Sequence, residues 1–303
     1  MPRRRAWTRI EVVVVIVVIL TALGIVAVLL QTVRGPSQRV ECGMNIHRMG
    51  ETIQAYHEQH KSLPASCIAP GYATWAVQIA PFLQQDQGKA LKGWDLNLSY
   101  YDQTAEVRAG QVAVFYCPAR RVPGQLSTSG DVPPTDGLLA NFAGALGDYG
   151  CAPTSDNVTN LWTSPDADGA LIVGEVLEKQ GDKIIRWKSR TTLQMLEYGP
   201  GRGLAVTILL GEKHVRPGDF GQVKFGDGSL YNGDHPASFA RIVDKDHALA
   251  KDPRDSSQLN FGSWHKGICQ FLMADGSLKV IEDGINPVVL QQLIPRAMPK
   301  EPK

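Results

Sequence analysis

His265 and Asp275 are the residues whose types first suggest chemistry, because an imidazole and a carboxylate can exchange protons in acid–base catalysis. Nine residues lie between them in a predicted hairpin, and these extended residues span roughly 20–30 Å. Direct pairing is therefore not expected. We predict structural roles instead: Asp275 and Gly276 shape the turn, and His265 packs or hydrogen-bonds at the start of the strand.

A second group of residues has the composition of a cation site. Residues 227–255 are rich in carboxylates and imidazoles, namely Asp227, Asp234, His235, Asp244, Asp246, His247, Asp252 and Asp255. Oxygen-rich loops bind calcium, but this spacing is not that of an EF-hand. Since Asp and Gly are also ordinary residues of solvated turns, we favour turns and keep calcium as the alternative. No other cofactor and no metal site is predicted.

The motifs of hydrolases and nucleotide-binding enzymes are absent from the sequence. There is no G-x-S-x-G, no H-E-x-x-H and no Walker motif. The formal net charge is +1 without a basic stripe, which argues against nucleic acid as a partner. We therefore predict a protein that is not an enzyme, with an anchored enzyme as the third hypothesis.

Five cysteines could form disulfides: Cys42, Cys67, Cys117, Cys151 and Cys269. None has C-x-x-C spacing, so a zinc site is not predicted, and sequence alone leaves the connectivity open. Our preferred bridge joins Cys42 to Cys117, and the next joins Cys67 to Cys151. Cys269 lies in an apolar run and is predicted to be a buried free thiol.

The N-terminus carries the signal of a membrane segment. Arg3 to Arg5 precede an apolar run from Val12 to Leu30, which covers roughly 28 Å as a helix, close to the thickness of a bilayer core. The positive-inside bias puts the N-terminus in the cytoplasm and the rest outside. This predicts a single-pass protein of the inner membrane, in contact with lipid. A plain signal anchor leaves one residue unexplained: Glu11, at the start of the run.

Residues 5–11, Arg-Ala-Trp-Thr-Arg-Ile-Glu, resemble the type IV prepilin and pseudopilin signal. The resemblance implies cleavage between Ala6 and Trp7 by a prepilin peptidase, followed by methylation of the new N-terminus. It also implies that Glu11 pairs with the N-terminal amine of a neighbouring pilin-like subunit. Ala6 stands where the family has glycine, and Arg9 where it has an apolar residue. The plain anchor remains the alternative.

The elements that would carry these residues follow from periodicity. After a kink predicted at Gly35-Pro36, apolar residues recur at helical spacing and predict an amphipathic helix that ends before Leu63-Pro64. These residues are Val40, Met44, Ile46, Met49, Ile53 and Tyr56. Residues 73–83 predict a short helix or turn, and 112–116 a short strand.

The rest of the chain reads as strands and turns. Residues 170–175 and 206–212 are both apolar runs closed by Gly-Glu, which predicts two strands of one sheet. Between them, residues 183–190 predict an exposed strand. Residues 267–273 and 278–281 flank an Asp-Gly turn and predict a hairpin.

At this hairpin a second resemblance emerges. His265, followed nine residues later by Asp275-Gly276, is similar to the H-x9-D-G segment of a prepilin-like family typical of planctomycetes, known as domain of unknown function 1559. Further matching segments are Cys42 to Ile46, Tyr56-His57, Leu63-Pro64, Trp75 to Leu83, Phe115 to Pro118 and Asn141 to Gly144. The resemblance implies a pilin-like helix and a β-rich head, and no catalysed reaction.

Together these observations predict an α+β fold, a pilin-like long N-terminal helix packed on a mostly antiparallel sheet. Its parts are a leader (1–6), a transmembrane helix (7–30), an amphipathic spine (31–62) and an extracytoplasmic head (63–303) that contains the hairpin at 265–282. The predicted function is a pseudopilin-like structural subunit of a type II secretion or type IV pilus-like assembly. The alternative is an anchored binding module that does not polymerise.

Overall fold

A computed structural model describes residues 8–133, 140–156, 162–198 and 202–297, without the side chains of 26–34 and 85–86. The predicted leader, with Ala6, and Trp7 lie outside the described residues. The fold is α+β, with one long helix and a small antiparallel sheet.

The long helix α1 (Arg9–His60) has 52 residues. Thr8 caps its N-terminus, and the helix runs without a break through Pro36. It ends at Lys61, whose left-handed backbone (φ 57°) lets the Lys61 N–H donate to the carbonyl of His57. The predicted end of the helix before Leu63-Pro64 is confirmed.

The transmembrane prediction for residues 7–30 is corrected. Within the described part of the chain, no helix combines the length and the apolar character that a membrane crossing needs. The pilin-like fold class with a transmembrane first half is therefore wrong. The single-pass inner-membrane localisation is not supported for the same reason.

Among the described residues, six strands make two sheets. In chain order they are β1 (Tyr149–Cys151), β2 (Glu175–Gln180), β3 (Lys183–Lys188), β4 (Ile208–Glu212), β5 (Ile268–Met273) and β6 (Leu278–Glu282). The larger sheet has the order β1-β4-β5-β6, and every pair in it is antiparallel. Strands β2 and β3 form a separate antiparallel hairpin.

Short helices lie before, between and after the strands. The α-helices are α2 (Trp75–Ile79), α3 (Ala105–Arg108), α4 (Leu193–Glu197), α5 (Pro236–Phe239) and α6 (Pro287–Gln291). The described 3-10 helices are Ala80–Phe82, Gln84–Leu91, Ala113–Phe115, Leu204–Val206 and Val223–Phe225. The predicted helix or turn at 73–83 is confirmed by α2 and the 3-10 turn after it.

Helix α1 packs its C-terminal half against the β5–β6 hairpin. Gly43 and Gly50, seven residues apart on one face, allow the close approach. A Cβ on Gly50 would lie 2.8 Å from Leu272, and one on Gly43 would lie 3.0 Å from Leu278. Of the predicted positions, Ile46, Met49, Ile53 and Tyr56 are buried, whereas Val40 and Met44 are exposed.

Two strand predictions are wrong. Within residues 112–116, Ala113–Phe115 form a 3-10 turn that buries Val114 and Phe115. A short apolar run does not by itself distinguish strand from helix. Residues 170–173 are buried but bond to a loop: Ile172 accepts from the amide of Ser66, and the amide of Gly174 donates to Cys67. The strand that follows, β2, pairs with β3 and not with β4. The exposed strand at 183–190 and the hairpin at 267–281 are confirmed.

Candidate functional site

Glu11 closes the N-terminus of α1. Its carboxylate accepts hydrogen bonds from the Thr8 amide (2.7 Å) and the Thr8 hydroxyl (3.0 Å), while the Glu11 amide donates to the Thr8 hydroxyl (3.3 Å). This is a capping box. The backbone and side-chain bonds from Thr8 lower the pKa of the exposed Glu11 carboxyl. The T-x-x-E spacing that announces this cap was available in the sequence, and it gives Glu11 a partner within its own chain.

Beyond the cap, α1 presents a long exposed apolar surface, here called the apolar arm (residues 10–25). Every residue from Val12 to Leu20 is an exposed aliphatic side chain, with exposed fractions between 40% and 62%. Because consecutive residues of a helix point in all directions around its axis, the arm is apolar on every side. Such a helix is normally buried on all sides.

A second site lies where α1 meets the sheet. Four side chains converge there. Cys42 comes from α1, Cys117 follows the 3-10 turn Ala113–Phe115, Glu212 ends β4, and His265 lies just before β5. Their four donor atoms all lie within 4.8 Å of one another, and all four residues are buried. We call this group the C2EH cluster. It is the one set of its kind that the described residues contain.

Three of the distances within the C2EH cluster are short. The Cys117 Sγ lies 3.6 Å from Glu212 Oε1 and 3.6 Å from His265 Nε2. His265 Nε2 lies 3.5 Å from the same Glu212 oxygen. The other Glu212 oxygen accepts a hydrogen bond from the backbone amide of Gln270 at 2.9 Å, which fixes the carboxylate in place.

In the absence of a counter-charge, burial favours the uncharged forms of these groups. Burial raises the pKa of Glu212 to about 7 and lowers the pKa of His265 to about 4. The hydrogen bond to Cys42, followed by burial, raises the pKa of Cys117 far above its ordinary value. A neutral imidazole carries a lone pair on one nitrogen, so His265 is ready to act as a ligand or an acceptor.

A buried ionic network adjoins the cluster. Arg120 donates to Asp148 at 2.9 Å, and Arg121 bridges Asp148 and Asp227 at 2.6 Å each. All four side chains are at most 1% exposed. Although burial opposes ionisation of Asp227, the charge and hydrogen bonds of Arg121 lower its pKa to about 2. The network therefore holds its carboxylates charged within the core.

The predicted motif residues separate into different roles. Asp275 accepts from the amide and hydroxyl of Ser277, and Gly276 takes a left-handed backbone (φ 84°), so both shape the turn as expected. His265 instead belongs to the C2EH cluster. No spacing in the sequence indicates this cluster or the membership of Glu212, because the four side chains come from segments far apart in the chain. The repeated Gly-Glu ending of residues 211–212 was the one visible signal.

The cysteines and the acidic segment also have definite positions. All five cysteines are buried free thiols in this structure, so neither predicted bridge is formed, although Cys42 and Cys117 are neighbours. Of the acidic segment, Asp227 pairs with Arg121 and Asp244 bonds His247 at 2.8 Å. Asp255 accepts from the amides of Lys251 and Ser257. These carboxylates are used separately in their own loops.

Comparison with known proteins gives one result. A family model described as "Protein of unknown function (DUF1559)" matches residues 31–288. The match begins after the prepilin-like residues 5–11 and assigns no role to His265 or Asp275. Searches of curated proteins and of solved structures returned no match.

Proposed function

The chain belongs to the DUF1559 family of proteins of unknown function, and from this premise we propose that it is a structural subunit that assembles through the apolar arm of α1. The arm is the observation that carries the proposal. Twelve large aliphatic side chains between Ile10 and Ile25 are exposed, and they form one continuous surface.

The energetics favour burial of the arm against other helices. Covering a Val, Leu or Ile side chain completely contributes roughly 1.5–3 kcal/mol. Since these side chains are about half exposed, twelve of them contribute on the order of 10 kcal/mol. Part of this offsets the loss of translational and rotational freedom on association. One neighbouring helix covers only one side of the arm. Because the arm is apolar on every side, its complete burial requires a bundle of several like helices.

The resemblance of residues 5–11 to the prepilin signal extends the proposal. On this hypothesis a prepilin peptidase cleaves between Ala6 and Trp7, and the subunit joins an assembly of the type II secretion or type IV pilus kind. Glu11 then exchanges its bond to Thr8 for the N-terminal amine of a neighbouring subunit. The charge on Glu11 favours that exchange, because an amine is a cationic partner and Thr8 is a neutral one.

A cysteine placed on the arm tests the assembly. Because the five native cysteines are buried, Val17→Cys would introduce one exposed thiol at a position that is 54% exposed. Under mild oxidation we expect disulfide-linked dimers on a non-reducing gel, together with higher oligomers in sedimentation. The matched control is Val122→Cys on the head, which is 72% exposed; it keeps the arm and should form the same oligomers in sedimentation, but it should give no disulfide-linked dimer on the gel.

Two outcomes would distinguish this function from the alternatives. A Val17→Cys chain that stays monomeric at all concentrations would refute assembly and leave a non-polymerising binding module. Equal crosslinking of both variants would indicate nonspecific contact. In a chain cleaved between Ala6 and Trp7, Glu11→Ala should keep α1 folded and weaken assembly. Unchanged association would refute the proposed pairing of Glu11 with the N-terminal amine of a neighbour.

A further inference from the structure

The C2EH cluster has the composition of a metal centre. Two thiols, one imidazole and one carboxylate supply the sulfur, nitrogen and oxygen donors that zinc takes in proteins. All four residues are at most 8% exposed. A fully enclosed site with four protein ligands is typical of structural zinc, since catalytic zinc keeps one position open.

The three short distances among Cys117, Glu212 and His265 fit tetrahedral coordination. Zinc–ligand bonds of about 2.3 Å to sulfur and about 2.0–2.2 Å to nitrogen and oxygen put neighbouring ligands roughly 3.6 Å apart for sulfur with nitrogen or oxygen. The Cys117 Sγ lies 3.6 Å from both Glu212 Oε1 and His265 Nε2. Nitrogen and oxygen ligands should lie ~3.4 Å apart, and His265 Nε2 lies 3.5 Å from Glu212 Oε1.

We propose that Cys42, Cys117, Glu212 and His265 bind one zinc ion, which fastens helix α1 to the sheet. Each ligand comes from a different segment, so the ion joins α1, the loop after the 3-10 turn, β4 and the segment before β5. Binding releases the thiol protons of Cys42 and Cys117 to solvent, with the Glu212 proton if it is present. The ion then rests on two thiolates, a carboxylate and a neutral imidazole.

The surroundings are suited to this charge. Two thiolates and one carboxylate carry three negative charges, so a divalent ion leaves the site with one negative charge. The guanidinium of Arg120 is buried beside it and interacts electrostatically with both Cys117 and Glu212. The amide of Gln270 holds the second Glu212 oxygen at 2.9 Å, as the outer contacts of metal ligands usually do.

A disulfide between Cys42 and Cys117 is the competing chemistry. It would consume the two sulfurs and remove the thiol that donates to Glu212 Oε1 at 3.6 Å. Glu212 would then lose its thiol partner and keep its interactions with His265, Ser263 and Arg120. A bound ion satisfies all four groups at once, and this favours zinc over the disulfide.

The experiment is metal analysis of the full chain, purified in the presence of a reducing agent. We expect about one zinc ion per chain when the metal content is measured by inductively coupled plasma mass spectrometry. Replacement of zinc by Co²⁺ should give the near-ultraviolet charge-transfer band of cobalt–thiolate bonds. Chelator treatment should lower the melting temperature, and added Zn²⁺ should restore it. These measurements use the native sequence and do not depend on whether any variant folds.

Variants then assign the ligands. Cys42→Ser and His265→Ala should each lower zinc occupancy at least tenfold at a fixed chelator concentration. Cys151→Ser is the matched control, because Cys151 is buried but lies outside the cluster, and it should retain the metal. Unchanged occupancy in the first two variants would overturn the assignment.

Two results with the native chain would overturn the proposal itself. One is a reduced chain that binds neither Zn²⁺ nor Co²⁺ when either is added. The other is a Cys42–Cys117 disulfide found by peptide mapping of chain kept under native conditions. Neither result bears on crosslinking through Val17, so failure here is distinguishable from failure of the assembly proposal.

Discussion

Replacement of Arg121 by methionine is the strongest test of the buried ionic network. Its guanidinium donates to Asp148 at 2.6 Å and to Asp227 at 2.6 Å, and its side chain is 1% exposed. Methionine replaces most of the apolar methylene stem of the arginine side chain and removes its charge. Asp148 keeps its ion pair with Arg120, whereas Asp227 keeps the backbone amide of Gly221 at 2.9 Å and a longer ion pair with Lys213 at 3.9 Å.

The size of the effect follows from the unpaired charge. Breaking a buried ion pair by removal of one partner costs about 3–5 kcal/mol, a large part of the 5–15 kcal/mol that typical domains have. Arg186→Met is the matched control, because its pair with Glu178 is 3.8 Å long and both side chains are more than half exposed. Such a surface pair contributes about 0–1 kcal/mol.

Urea unfolding followed by tryptophan fluorescence measures both variants. With a slope of about 3 kcal/mol per molar urea, the midpoint should fall by roughly 1–1.7 M for Arg121→Met. For Arg186→Met it should fall by less than ~0.3 M. Adding Asp227→Asn to Arg121→Met should recover part of the loss by removing the unpaired charge. Equal midpoints for the two single variants would refute the argument.

Three further predictions concern stability. Because the folded pKa of Asp227 is lowered to about 2 and its unfolded value is ~3.9, ionised Asp227 stabilises the fold by about 2 kcal/mol above pH ~4. This contribution should disappear as the pH falls to about 2, and urea midpoints across that range should decline less in Asp227→Asn. A Cβ on Gly211 would lie 2.5 Å from the Phe271 ring, so Gly211→Ala should cost about 1–3 kcal/mol in urea unfolding; a cost below 0.5 kcal/mol would contradict that packing. Gly276→Ala meets no atom within 4 Å but must hold φ at 84°, which should cost about 1–2 kcal/mol. Asn tolerates this backbone, so Gly276→Asn should recover stability, and no recovery would contradict the conformational explanation.

The sequence alone determined the features whose signals are local. The Asp-Gly pair predicts the β5–β6 hairpin because the turn needs a residue with a left-handed backbone conformation, and Gly276 adopts it. Helical spacing announced the buried face of α1 at Ile46, Met49 and Ile53. The T-x-x-E cap at Thr8 and Glu11 is equally local, since Thr8 is the N-cap of α1 and Glu11 lies in its first turn.

The tertiary structure decided everything that depends on distant segments. Whether residues 170–173 form a strand depended on a partner, and the partner was the loop at Ser66 and Cys67. The C2EH cluster has no spacing motif, because the separation between successive ligands is set by the fold. A metal motif is visible in sequence when its ligands share one turn or one helix. Here four segments each contribute a single donor atom, and only their packing brings the donors within 4.8 Å of one another.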